Sequence, residues 1–198
     1  MIRAPQLCGC VLLAIICTGM TSCLPKPKVT MTHMIEPQVL APPTADQGAP
    51  LAKNPNAVAV RLLNTQSRGE IGRAMLHQES NGELVGDRVW FWSSRPEQFL
   101  DTAIQIEAAH NPDVRVVDSA HIPTLAPMLL VWDLESNGTQ LVGVVQFQLT
   151  GTDGAVTTKV VRGSEQISGD LPANLAEASG RLLHRLASEG LSSLTTKR

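Results

Sequence analysis

From Met128 to Val161 the chain repeats one pattern: a run of strand-forming residues, a turn signal, then another run. Within Leu141–Leu149, Val145, Phe147 and Leu149 fall on one side and Gln146 and Gln148 on the other. A strand with one covered face needs this period of two, because successive side chains point to opposite faces. Asn137-Gly138 precedes the run and Thr152-Asp153-Gly154 follows it. Such dipeptides tolerate the positive φ of tight turns. Met128–Leu134, Leu141–Leu149 and Val156–Val161 are therefore predicted to form an antiparallel meander. A meander cannot cover its own apolar face, so a second layer must.

Two helical patterns supply that layer. Ser94-Arg95-Pro96-Glu97 has capping-box spacing and opens a helix to His110, with Phe99, Ala103 and Ile106 on its buried face and Leu100 and Ile104 beside them. Asn111-Pro112 stops it. Leu171, Leu175, Ala178, Leu182 and Leu186 recur at three- and four-residue spacing, predicting a second helix over Pro172–Ser188. Ahead of the first helix, Ala57–Leu63 reads as a central strand, and Arg73–Gln78 with Leu84–Trp92 as a hairpin turning at Asn81-Gly82. Val114–Val117 is a further short strand. The order β-β-β-α-β-β-β-β-α predicts an α+β fold: a mixed, largely antiparallel sheet with two helices packed on one face.

The N-terminus has a different logic. Arg3 is followed by the apolar stretch Val11–Cys17 and then by Met20-Thr21-Ser22 before Cys23. That is the layout of a secretory signal, with an apolar run too short to span a bilayer. Small residues just before a cysteine suit signal peptidase II. We therefore expect a signal peptide over 1–22 and a Cys23 carrying covalent diacylglycerol and an N-acyl chain, which anchor the protein in a membrane. Cys8, Cys10 and Cys17 leave with the signal. The mature chain then has no disulfide and no thiolate site. Leu24, rather than aspartate, follows the cysteine, which favours the outer membrane and a periplasm-facing domain. Residues 23–55 hold seven prolines and few large apolar residues, and read as a Pro-rich disordered linker reaching on the order of 100 Å. An edge strand within Val29–Val39, interrupted at Pro37, is the other reading of that stretch. Residues 56–198 suffice for one domain.

Chemistry is sparse. There is no nucleophile elbow, phosphate loop, His-Glu-x-x-His or Cys-x-x-Cys. His33, His77, His110, His121 and His184 show no metal-ligand spacing. Asp118 with His121, and Asp133 with Glu135, read as polar surface rather than as acid–base pairs. The net charge of −2, more acidic once Arg3 is lost, gives no basic face for nucleic acid. These observations predict neither catalysis, nor metal, nor a cofactor beyond the acyl chains. Trp90 and Trp92 share one face of a strand. They either anchor the first helix to the sheet or form a partner contact.

With these elements in order, the chain resembles the PqiC-like, or ABC-type transport auxiliary lipoprotein, family. The resemblance is carried by Met75–Ser80, by Val89-Trp-Phe-Trp-Ser-Ser-Arg-Pro96 and by Phe99–Ile104, and it extends over Ala57–Leu194. The chain departs from the family in having no tyrosine and in a long Ser119–Pro127 loop. The resemblance implies a periplasm-facing outer-membrane lipoprotein that supports membrane integrity. Its expected partners are an MCE-domain protein and an inner-membrane permease that move lipid between membranes. It further implies a homo-oligomer and assigns no catalytic residue. The alternative role is a structural or regulatory envelope lipoprotein that activates a cell-wall synthase or supports a secretion complex.

Overall fold

The computed structural model describes residues 33–39, 53–135, 138–168 and 172–195. The signal peptide, Cys23, Asn137 and the residues between 39 and 53 lie outside these. The meander forms as expected but with longer strands: β7 (Thr124–Leu134), β8 (Gln140–Thr150) and β9 (Val156–Gln166) pair antiparallel along their lengths. Gly82, Gly138 and Gly154, one in each turn, all take positive φ.

The other edge of β7 is shared in succession by three strands that run parallel to it: β2 (Val58–Leu62), β3 (Gln66–Ser67) and β4 (Ala74–Gln78). Strand β6 (Val114–Val116) flanks β2, and β5 (Leu84–Trp92) forms the hairpin with β4. The result is a mixed sheet whose long ladders are antiparallel and whose short ones are parallel. The expected loop through Pro127 is corrected, because Thr124–Pro127 belongs to β7 and Pro127 sits opposite Phe147. Leu125 and Leu129 accept from Leu63 and Arg68 on the β2–β3 side. Pro127, of the same parity, points its missing N–H to that side, where residues 64–65 lie between the β2 and β3 pairings. Proline is tolerated at such a gap and not elsewhere in a central strand.

Helices α1 (Pro96–His110) and α2 (Ala173–Thr195) lie side by side on one face. Between them and the sheet are Leu125, Leu129, Trp132, Leu141, Val145 and Phe147, closed over by Leu100, Ile104, Leu182 and Leu186. Gly143 and Gly163 let α2 descend onto the sheet: a Cβ on either would lie 2.8 Å from a Leu186 or Leu182 methyl. Three details of the helices differ from expectation. The capping box does not form. Pro96 takes the first helical position, which its fixed φ favours, so Arg95 becomes the N-cap and makes no side-chain cap bond. The buried face of α1 centres on Leu100, Ala103, Ile104 and Ala108, with Phe99 and Ile106 only half-buried. Finally, α2 continues past Ser188, because Gly190 lies against the Phe147 ring and Leu191 is buried.

Candidate functional site

The region with the most unusual construction is the sheet edge at β5. Residues His33–Ile35 form β1, which pairs parallel to β5 in the register His33 with Trp90, Met34 with Phe91 and Ile35 with Trp92. This span is thus folded, and the linker expectation over 23–55 is corrected there. The edge-strand reading of Val29–Val39 holds for His33–Ile35, while residues 29–32 lie outside the described ones. Ile35 drives it. This side chain is 1 % exposed, and burying an isoleucine is worth roughly 1.5–3 kcal/mol. Pro37 does not interrupt β1, since it lies beyond the last paired residue.

After β1 the backbone leaves the sheet and crosses α2. The Gln38 amide donates to the Ala176 carbonyl at 3.0 Å. Gly180 lies directly beneath; a Cβ there would overlap the Gln38 carbonyl oxygen and come within 2.7 Å of its carbon. Residues 36–39 therefore strap the β5 edge to the second helix. Lys53 makes a second tie on α1. Its ammonium donates to the carbonyls of Ala108, Ala109 and Asn111, each at 2.9 Å. These are carbonyls at the helix end, where a cation also meets the negative end of the dipole.

The two tryptophans divide between the two readings. Trp92 is 1 % exposed and packs in the core, its ring centroid 5.9 Å from that of Trp132. It cannot be a surface contact. Trp90 is half-buried, with the His33 imidazole stacked on it at 4.5 Å. Beside them the β4–β5 ladder is broken: Ala74 pairs with Phe91, but Leu76 pairs with Gly86. The extra residues of β5 fold around Asp87, which accepts from the amides of Val89 (2.6 Å) and Trp90 (3.0 Å) and contacts His77 Nε2 at 2.9 Å. Burial alone would raise this carboxyl. The two amides and His77 outweigh it and hold Asp87 below its ordinary value. Nothing in the local sequence but the isolated Gly86 and Asp87 within an apolar strand could have signalled the bulge.

The remaining candidates stay apart. Asp118 is 98 % exposed and faces Arg61 at 3.6 Å, and His121 is exposed. Asp133 lies on the helix-free face of β7. Burial, aided by the Glu135 charge and opposed by Arg162, raises its carboxyl. His184 Nδ1 meets Glu107 Oε1 at 2.8 Å and ties the helices together. Among the described residues no cluster of histidine, cysteine and carboxylate side chains could hold a metal, and no helix is long and apolar enough to cross a membrane.

No family model and no curated protein matches the chain. Solved structures do. A Xanthomonas campestris protein assigned to the family DUF330 superposes with a TM-score of 0.62 at 14% identity, covering 83% of this chain and 96% of that one. An uncharacterized protein gives 0.60 at 12% identity, covering 72% and 95% respectively. A hypothetical protein of Chlamydia trachomatis gives 0.52 at 12% identity, covering 70% and 95%. What they share with this chain is the fold. Sequence identity of this order extends the likeness no further.

Proposed function

We propose that this chain is an outer-membrane lipoprotein, anchored through Cys23 and facing the periplasm, that serves as a non-catalytic auxiliary component of an MCE/ABC-type lipid transport system. The observation that carries this reading is the fold correspondence with the Xanthomonas protein over 96% of that chain, since its family, DUF330, is the PqiC-like group. The resemblance in Met75–Ser80 and Val89–Pro96 points the same way. Its partners on this reading are an MCE-domain protein and its permease, and it works as a homo-oligomer.

Affinity purification of the tagged full-length protein from gently solubilised envelopes, with mass spectrometry of what comes along, tests the proposal. Recovery of an MCE-domain protein and permease is expected. Recovery of cell-wall synthases or secretion components without an MCE protein would overturn the transport role in favour of the alternative.

A further inference from the structure

The structure changes what the N-terminal segment can do. Read as a linker to residue 55, it would let the domain face the membrane in any orientation. But the chain is captured at His33, and ten peptide bonds separate His33 from Cys23. A chain of that length spans at most about 33 Å, and typically about 17 Å as a coil. Strand β1 is one edge of the sheet and β9 is another, separated by the succession β1-β5-β4-β7-β8-β9. At about 4.8 Å per strand the two edges lie roughly 24 Å apart. Resting the β9 edge on the bilayer would lift β1 by roughly 24 Å, past the typical reach of the leash and to about three quarters of its full stretch. Resting the β1 edge there costs the leash nothing.

We infer that the β1–β5 edge is the surface the domain presents to a phospholipid bilayer, and that the β9 edge points away from it. This rests on the lipid-anchor reading above. The chemistry of the edge fits a headgroup layer. Met34 is 65 % exposed, the most exposed large apolar side chain among the described residues. Arg73, whose guanidinium reaches the Met34 sulfur at 3.8 Å, is exposed, as are Arg88 and Arg95. Arg95 also meets Glu97 at 3.7 Å, and Glu36 is the exposed acid on the strap. Each basic residue near an anionic surface strengthens attraction roughly fivefold. Among the described residues nothing pairs with the outer side of β9, where Val160 is 55 % exposed.

The mature protein has no cysteine beyond Cys23, so single labels can be placed at will. Met34→Cys and Val160→Cys, each in the acylated full-length protein, are coupled to a fluorophore. The proteins are then reconstituted in phosphatidylethanolamine–phosphatidylglycerol vesicles carrying a nickel-chelating lipid that quenches near the headgroups. Quenching is expected to be several-fold stronger at position 34 than at 160. Inserting about twenty Gly and Ser residues between Lys28 and Val29 raises the typical leash reach to about 30 Å and should erase much of that contrast. Equal quenching at the two positions in the uninserted protein overturns the inference. A contrast that survives the insertion overturns the leash as its cause. Mass measurement of the N-terminal peptide from the same sample separates the two levels: absent acyl chains overturn the anchor reading itself, whereas equal quenching of acylated protein overturns only the orientation.

Discussion

Replacing Gly180 by alanine tests the strap, because two effects of opposite sign compete. In a helix interior alanine is favoured over glycine by about 1 kcal/mol, so Gly180→Ala at an unobstructed site would stabilise the protein. Here the new methyl would overlap the Gln38 carbonyl oxygen. A backbone carbonyl cannot swing aside as a flexible side chain can, so residues 36–39 must lift. Lifting breaks the Gln38–Ala176 bond, worth about 0.5–1.5 kcal/mol, and draws Ile35 from the core at roughly 1.5–3 kcal/mol. Subtracting the propensity gain leaves a net loss of about 1–3.5 kcal/mol. For about 2 kcal/mol, Tm should fall by roughly 4–8 °C. Urea unfolding followed by Trp fluorescence measures the change, and amide exchange over residues 33–39 reports whether the strap has lifted. A midpoint that rises in Gly180→Ala, with exchange unchanged, would refute the strap.

The Trp92→Ala variant should lose about 3–5 kcal/mol and fold poorly, whereas Trp90→Ala should lose clearly less; comparable urea midpoints would contradict the division between them. Asp87 is held below its ordinary value, so it adds stability above the unfolded carboxylate pKa of about 4 and loses it as pH falls through the folded value. Unfolding free energies at pH 7 and pH 3 should therefore converge in Asp87→Asn relative to wild type. Asp133 is shifted the other way, so its charged form opposes folding at neutral pH, and Asp133→Asn should raise the urea midpoint at pH 7 and leave it little changed in acid. Finally, Cys23→Ala should abolish incorporation of labelled fatty acid and release the protein from sedimented membranes.

What could be read from the sequence was local. Leu141–Leu149 alternates because a half-covered strand must, and the glycines of its turns are required wherever φ is positive, so the meander was legible residue by residue. The leucine spacing of α2 was legible for the same reason, since both periods arise within one element. Elements held by distant partners were not legible. β1, one of two open readings of its segment, is three residues long with Pro37 close behind, and it exists because Ile35 finds a core beside Trp92. β3 is two residues that β7 recruits. The expected helix ends at Ser188, short of Gly190, and only the placement of Phe147 against Gly190 and of Gln38 across Gly180 gives these two helical glycines a reason. The tryptophans show the same limit within one motif: the sequence put Trp90 and Trp92 on one face, but only the tertiary structure buried one and capped the other with His33. Short-range periodicity and turn chemistry are written into the chain because they act between neighbours. Burial and close backbone approach are properties of residues far apart in sequence, and packing alone decides which of them meet.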